Sequence, residues 1–338
     1  MDSPRLDVIQ GNPIVEEEDG VFVKTVPYGG IINQLYLDRP LVLVGRVYND
    51  DGELIQINTK EQGYFFNVTS LLPHLRGRQE VKDLTYDKLR VRIGNSKEDN
   101  IFEIIKKEYG ITKENLEFAE LSFVPYGNVM DMGFDKDLMM GYAHDDLCCT
   151  FANLEAMISS EPSNITKIAL FVSYEETGSN QLTGAITQFI DDIYLKLAEG
   201  DMLLARECIT ATKLISADVC AGYDSTYGSH FESSAKAICG KGVTIVPILG
   251  NKRGNDSTIQ MKHYIKTLCK ENNIEYQVEF TKPSEGGGGT VSSFFATRGM
   301  ECIDIAIPVL AMHSPMECIS KKDIFWAYRL YKVFLESN

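Results

Sequence analysis

Apolar and polar positions follow two different periods along this chain, and the change of period divides it. Through the first third the dominant period is two. Phe22-Val23-Lys24-Thr25-Val26 alternates, and the apolar-rich runs 41–48 and 54–58 flank Asn49-Asp50-Asp51-Gly52. Asp-Gly supplies the positive-φ residues of a tight turn, so this stretch predicts a hairpin. Residues 89–93 predict another strand, and residues 100–109 a helix that stops at Gly110. Around residues 128–140 Met, Gly and Asp cluster without a period, which marks a domain boundary. Beyond it, helical patterns (147–159, 182–198, 257–271, 321–335) alternate with short apolar runs (167–172, 212–217, 243–249, 275–280, 303–309). That alternation predicts an α/β sheet with helices on both faces.

Composition narrows the class. A chain of 338 residues with 44% hydrophobic and 24% charged positions has room for about two globular domains and is neither disordered nor fibrous. Its 33 basic and 48 acidic residues leave a net charge of −15, which opposes binding to nucleic-acid phosphates. No run approaches the roughly 20 apolar residues of a membrane helix; the best, 303–312, contains Asp304 and Pro308. The first residues carry no apolar signal core. Eight cysteines without a C-x-x-C spacing predict reduced thiols in a cytoplasmic protein. Gly286–Gly289 lacks the Lys-Ser/Thr of a phosphate loop, so nucleotide binding is not expected.

Ligand groups in open α/β sheets gather at the carboxyl ends of strands. Glu175-Glu176 follows the run 168–172, Asp218 follows 214–217, His313 follows 303–310, and Asp145-Asp146 precedes the helix expected from 147. Each has a bland reading alone: a helix cap, a solvated loop, a turn residue, a structural histidine. Adjacent carboxylates at a strand end nonetheless repel unless a cation or proton offsets them. Taken together, the carboxylates and imidazole suit a pair of divalent metals such as zinc, manganese or cobalt.

The chain resembles the aminopeptidase I / aspartyl aminopeptidase family of dinuclear metallopeptidases, in its bacterial branch. The matching segments are Asp2-Ser3-Pro4-Arg5-Leu6-Asp7, Tyr28-Gly29-Gly30-Ile31, Gly141 with His144-Asp145-Asp146, Glu175-Glu176-Thr177-Gly178-Ser179, Ser216-Ala217-Asp218-Val219, Gly286–Thr290 and Met312-His313-Ser314-Pro315. They run in family order along nearly the whole chain. The resemblance implies a phosphorylase/peptidase-like mixed sheet flanked by helices, with a β-rich inserted domain. It implies two divalent metals, zinc first, with manganese or cobalt as alternatives. Asp145 then bridges the metals, Glu176 and His313 complete one site, Asp218 serves the other, and Glu175 is the general base toward a water activated by both. Gly287 and Gly288 line the substrate pocket. The implied reaction is release of N-terminal amino acids from peptides by a homo-oligomer built from dimers, with no nucleic-acid or membrane partner.

One departure sets a further expectation. In the family a His-x-Asp segment precedes Ser-Pro-Arg-Leu, and its histidine shares the metal held by Asp218. Here the x position is Met1, so the family's N-terminal segment is expected to be missing and the second metal site to be empty or weak. The expected domains are a dimerisation insert over 3–137 and a catalytic domain over 138–338 without its N-terminal part. An alternative reading follows: a catalytically impaired truncated homologue acting as a binding or assembly subunit. His74, His230 and His263 read as structural, and the aromatic face of residues 325–334 as core.

Overall fold

The computed structural model describes residues 2–71, 84–247, 256–282, 284–285 and 289–337. Contacts divide the chain into a unit built on residues 4–128, with which the turn 313–315 groups, and a unit built on the rest.

The first unit is a β-sheet. Its strands are β1 (Arg5–Val8), β2 (Ile14–Glu17), β3 (Gly20–Tyr28), β4 (Leu41–Tyr48), β5 (Leu54–Asn58), β6 (Arg90–Gly94) and β7 (Glu120–Pro125). Their order is β2-β3-β1-β7-β4-β5, with β6 also on β3, and the pairs are antiparallel. The hairpin β4–β5 has the predicted limits. Asn49 closes it by accepting the N–H groups of Asp51 (3.1 Å) and Glu53 (2.8 Å), and Gly52 takes φ +76°. Helix α1 (Thr59–Gln62) is a single turn. Helix α2 (Glu98–Tyr109) ends at Gly110, whose φ of +68° stops it as expected. Leu6, Leu41, Val91 and Phe123 are fully buried in the core of this unit.

The second unit is mixed α/β. Strands β8 (Met130–Met132), β9 (Leu138–Gly141), β10 (Lys213–Ala221), β11 (Val243–Val246), β12 (Tyr276–Val278), β13 (Glu301–Leu310) and β14 (Glu317–Ser320) form a sheet of order β12-β11-β13-β14-β9-β8, with β10 parallel to β13. The helices are α3 (His144–Ser159), α4 (Phe189–Leu197), α5 (Met202–Ala211), α6 (Ile259–Glu271), α7 (Ser292–Ala296) and α8 (Lys321–Glu336). Alternation along β13 separates two layers. Ile303, Ile305, Ile307 and Val309 join α3, α6 and α8 in one core, whereas Cys302 joins α4, α5 and α7 in another. A central strand covered on both faces is buried throughout, as residues 302–309 are, the polar Asp304 included.

Three local expectations are corrected. Residues 167–172 were expected to form a buried strand, but the segment is irregular, and Ile165, Ile168 and Phe171 are exposed. An apolar run becomes a strand only by joining a ladder, and among the described residues none pairs with it. The helix expected over 182–198 starts only at Phe189. Before it, the backbone of Gly184 lies against Ser179, where a Cβ would stand 2.1 Å from the Ser179 carbonyl oxygen. Finally, β10 runs on to Ala221, so Asp218 lies inside the strand, opposite Ala306, rather than at its end.

Candidate metal centre

Asp145 opens helix α3 without adopting helical geometry. Ala143 before it is left-handed (φ +67°), and Asp145 itself is extended at φ −80°, ψ 111°. Both of its backbone polar groups are anchored. Its N–H donates to Glu317 Oε2 at 2.9 Å, and its carbonyl accepts the Ser3 hydroxyl at 2.6 Å. Asp145, Ser3 and Glu317 are all buried. The peptide on each side of the carboxylate is therefore fixed by partners distant in sequence.

Glu175 and Glu176 occupy a 3₁₀ turn, Glu175–Thr177, entered through left-handed Tyr174 (φ +62°) and left through Gly178 (φ +95°). The Glu175 N–H donates to the Asp2 carboxylate at 3.2 Å. Asp2 and Ser3, from the Asp-Ser-Pro-Arg-Leu motif, thus each hold one of the two acidic segments.

His313 lies on the connection from β13 to β14 with φ +64°. Its Nδ1 is 2.8 Å from the Gly30 carbonyl oxygen. A carbonyl only accepts, so Nδ1 carries the proton and Nε2 presents its lone pair. Gly30 permits this approach, since a Cβ there would stand 3.2 Å from Nδ1.

Asp145, Glu176 and His313 each offer a ligand atom, and these atoms all lie within 4.8 Å of one another. Donors around one tetrahedral zinc at about 2.1 Å sit about 3.4 Å apart, so small side-chain adjustments close the set. Two carboxylates and one imidazole are also the right chemistry for a divalent transition metal.

Asp218 is outside this triple. Burial pushes its carboxyl well above the usual range, and the Glu175, Asp145 and Asp146 carboxylates push it the same way. Asp146 is raised to about 6, by burial first and then by Asp145 and Asp2. Carboxylates that raise one another in this way make a strong site for positive charge. Asp218 Oδ1 accepts the Val219 N–H at 2.7 Å, and the Asp218 carbonyl accepts from Cys149 Sγ at 2.8 Å. His144 is buried, its Nε2 has no hydrogen-bond partner, and burial lowers its pKa. Gly287 and Gly288 lie outside the described residues.

Sequence reasoning missed Glu317 as an anchor and gave Ser3 and Gly30 no role beyond their motifs. A carboxylate at 317, in the apolar-rich run after Ser314-Pro315, was the available signal for Glu317.

Two carboxylates and an imidazole whose donor atoms converge mark a metal-dependent enzyme. The chain belongs to the aminopeptidase I zinc metalloprotease (M18) family, whose model matches residues 1–335. It is 36% identical over 361 residues to a probable M18 family aminopeptidase 1 of Borreliella burgdorferi, covering 98% of this chain and 78% of that protein. The crystal structure of an M18 aminopeptidase from Thermotoga maritima superposes with a TM-score of 0.92 at 31% identity, covering 100% of this chain and 79% of that one. A dodecameric S. cerevisiae mApe1, at 18% identity and a TM-score of 0.77, shares the fold. The chain is accordingly a metal-dependent aminopeptidase, of the expected mixed α/β class.

Proposed function

We infer that this protein releases N-terminal amino acids from peptides at the centre formed by Asp145, Glu175, Glu176, Asp218 and His313. The observation that carries the reading is the convergence of Asp145, Glu176 and His313 donor atoms within 4.8 Å. These three would hold one divalent metal, zinc by family. Asp145, as the bridging carboxylate, and Asp218 would serve a second. Bound there, the metals supply Lewis-acid polarisation of the scissile carbonyl and a lowered pKa for the attacking water. Glu175 is the general base: it takes a proton from that water and later gives it to the leaving amine. The surrounding carboxylates attract the free α-ammonium of a peptide, which favours cleavage at the first bond. Gly287 and Gly288 line the substrate pocket in this reading.

The β-rich unit is the dimerisation module, and the protein is a homo-oligomer, as the yeast relative's dodecamer supports. The eight cysteines are all free thiols, which fits a reducing cytoplasm. Among the described residues, no helix is long and apolar enough to cross a membrane.

The test is Glu175→Gln in zinc-loaded protein, assayed on a peptide with a free N-terminus and on its N-acetylated form. The expected result is a fall of about 10²–10⁴-fold in kcat with bound zinc unchanged, and cleavage of the free peptide alone by the parent. Equal turnover by the variant, or cleavage of the acetylated peptide, contradicts the reading.

A further inference from the structure

The β-rich unit contains a cavity of about 120 Å³ between its sheet and helix α2. Helix α2 carries an apolar stripe, Ile101, Ile104, Ile105 and Tyr109, at the spacing of one helical face. None of its residues is fully buried. The helix closes on the sheet at one end, where a Cβ on Gly94 would strike Ile101 Cδ1 at 2.4 Å. Away from that contact the stripe faces Val23, Leu43, Leu121 and Phe123 across the cavity. Ile104 and Tyr64 line the space yet are 45% and 36% exposed, so they mark its mouth.

The walls are almost wholly apolar, which leaves water poorly held there. An apolar cavity of roughly 150 Å³ is known to stay dry and to accept benzene, so the size here suits one small ring or short chain. Glu108 is the sole charged residue among the described lining residues, and it is solvent-exposed. An anionic ligand would meet repulsion at this carboxylate, whereas a cationic head group would be attracted.

We propose that this cavity binds a small aryl or alkyl amine, its apolar body inside and its ammonium at Glu108. The full-length chain is titrated with benzylamine, toluene and phenylacetate by calorimetry and thermal shift. Benzylamine binds about two- to five-fold more tightly than toluene, the span of one exposed ion pair, and phenylacetate binds least. Ile105→Phe fills the space and abolishes binding while far-ultraviolet circular dichroism stays unchanged. Glu108→Gln, at an exposed position that folding tolerates, brings the benzylamine-to-toluene ratio close to one. Absence of binding by every probe at about 10 mM overturns the proposal. So does phenylacetate binding as well as benzylamine, or a Glu108→Gln protein that keeps the amine preference.

Discussion

Gly30→Ala is a single-methyl test of how His313 is held. A Cβ at position 30 meets His313 Nδ1 at 3.2 Å and Cε1 at 3.5 Å. Carbon contacts are optimal at about 3.5–4.0 Å, so the ring must retreat by about 0.3 Å. That retreat stretches the 2.8 Å bond from Nδ1 to the Gly30 carbonyl, the contact that fixes the tautomer and aims Nε2. Metal–ligand distances tolerate only about ±0.2 Å. Removing a partner that orients a ligating histidine typically lowers metal affinity about 10–100-fold, or about 1.4–2.7 kcal/mol. Position 30 is exposed, so the fold itself should suffer little. The assay is competition for zinc against a chelator of known affinity, with urea unfolding as the control. Zinc affinity within twofold of the parent, in a protein of unchanged stability, would refute the role given to the His313–Gly30 contact.

Other expectations follow from the same geometry. Glu317→Ala leaves the buried Asp145 N–H unpaired and opens a cavity, which should cost about 2–4 kcal/mol in urea unfolding and weaken zinc binding; Glu317→Gln should recover most of both. Arg298 donates to Asp191 at 2.9 Å and to the carbonyls of Ala185, Ile186 and Phe294, so Arg298→Ala should lose about 2–4 kcal/mol and Arg298→Lys should restore only part of it, because an ammonium cannot reproduce the planar fork. Asp323 is fully buried, and burial raises its pKa to about 6 even though it accepts the Gly240 and Gly242 N–H groups. Its folded pKa exceeds its unfolded value, so the stability it contributes is complete below about pH 4 and is lost as pH rises through about 6, a change of order 3 kcal/mol. Urea midpoints between pH 4 and 7 should fall less steeply in Asp323→Asn than in the parent, by about that amount, the remaining decline coming from other raised carboxyls such as Asp146 and Asp218; parallel profiles would contradict it.

What was legible in the chain was local. Turn chemistry sits within four residues, so Asn49–Gly52 marked the β4–β5 hairpin. Gly110 marked the end of α2, and the apolar-rich run 303–309, interrupted by Asp304, marked the strand β13. The acidic and histidine positions of the candidate centre stood out because charged and imidazole groups recur beside apolar runs. The anchoring of those groups was not legible. Ser3 reaches Asp145 across 142 residues and Glu317 reaches it across 172, and no local pattern encodes such pairings. Residues 167–172 misled for a related reason. Apolar content shows that a segment can join a ladder, but a strand also needs a neighbour in register.

The most direct test of the account is anomalous scattering at the zinc edge from crystals of the zinc-loaded protein. The account predicts a peak about 2.0–2.2 Å from Asp145, Glu176 and His313 Nε2, lost in Asp145→Asn. A zinc peak bound by other residues, or none near these three, would contradict it.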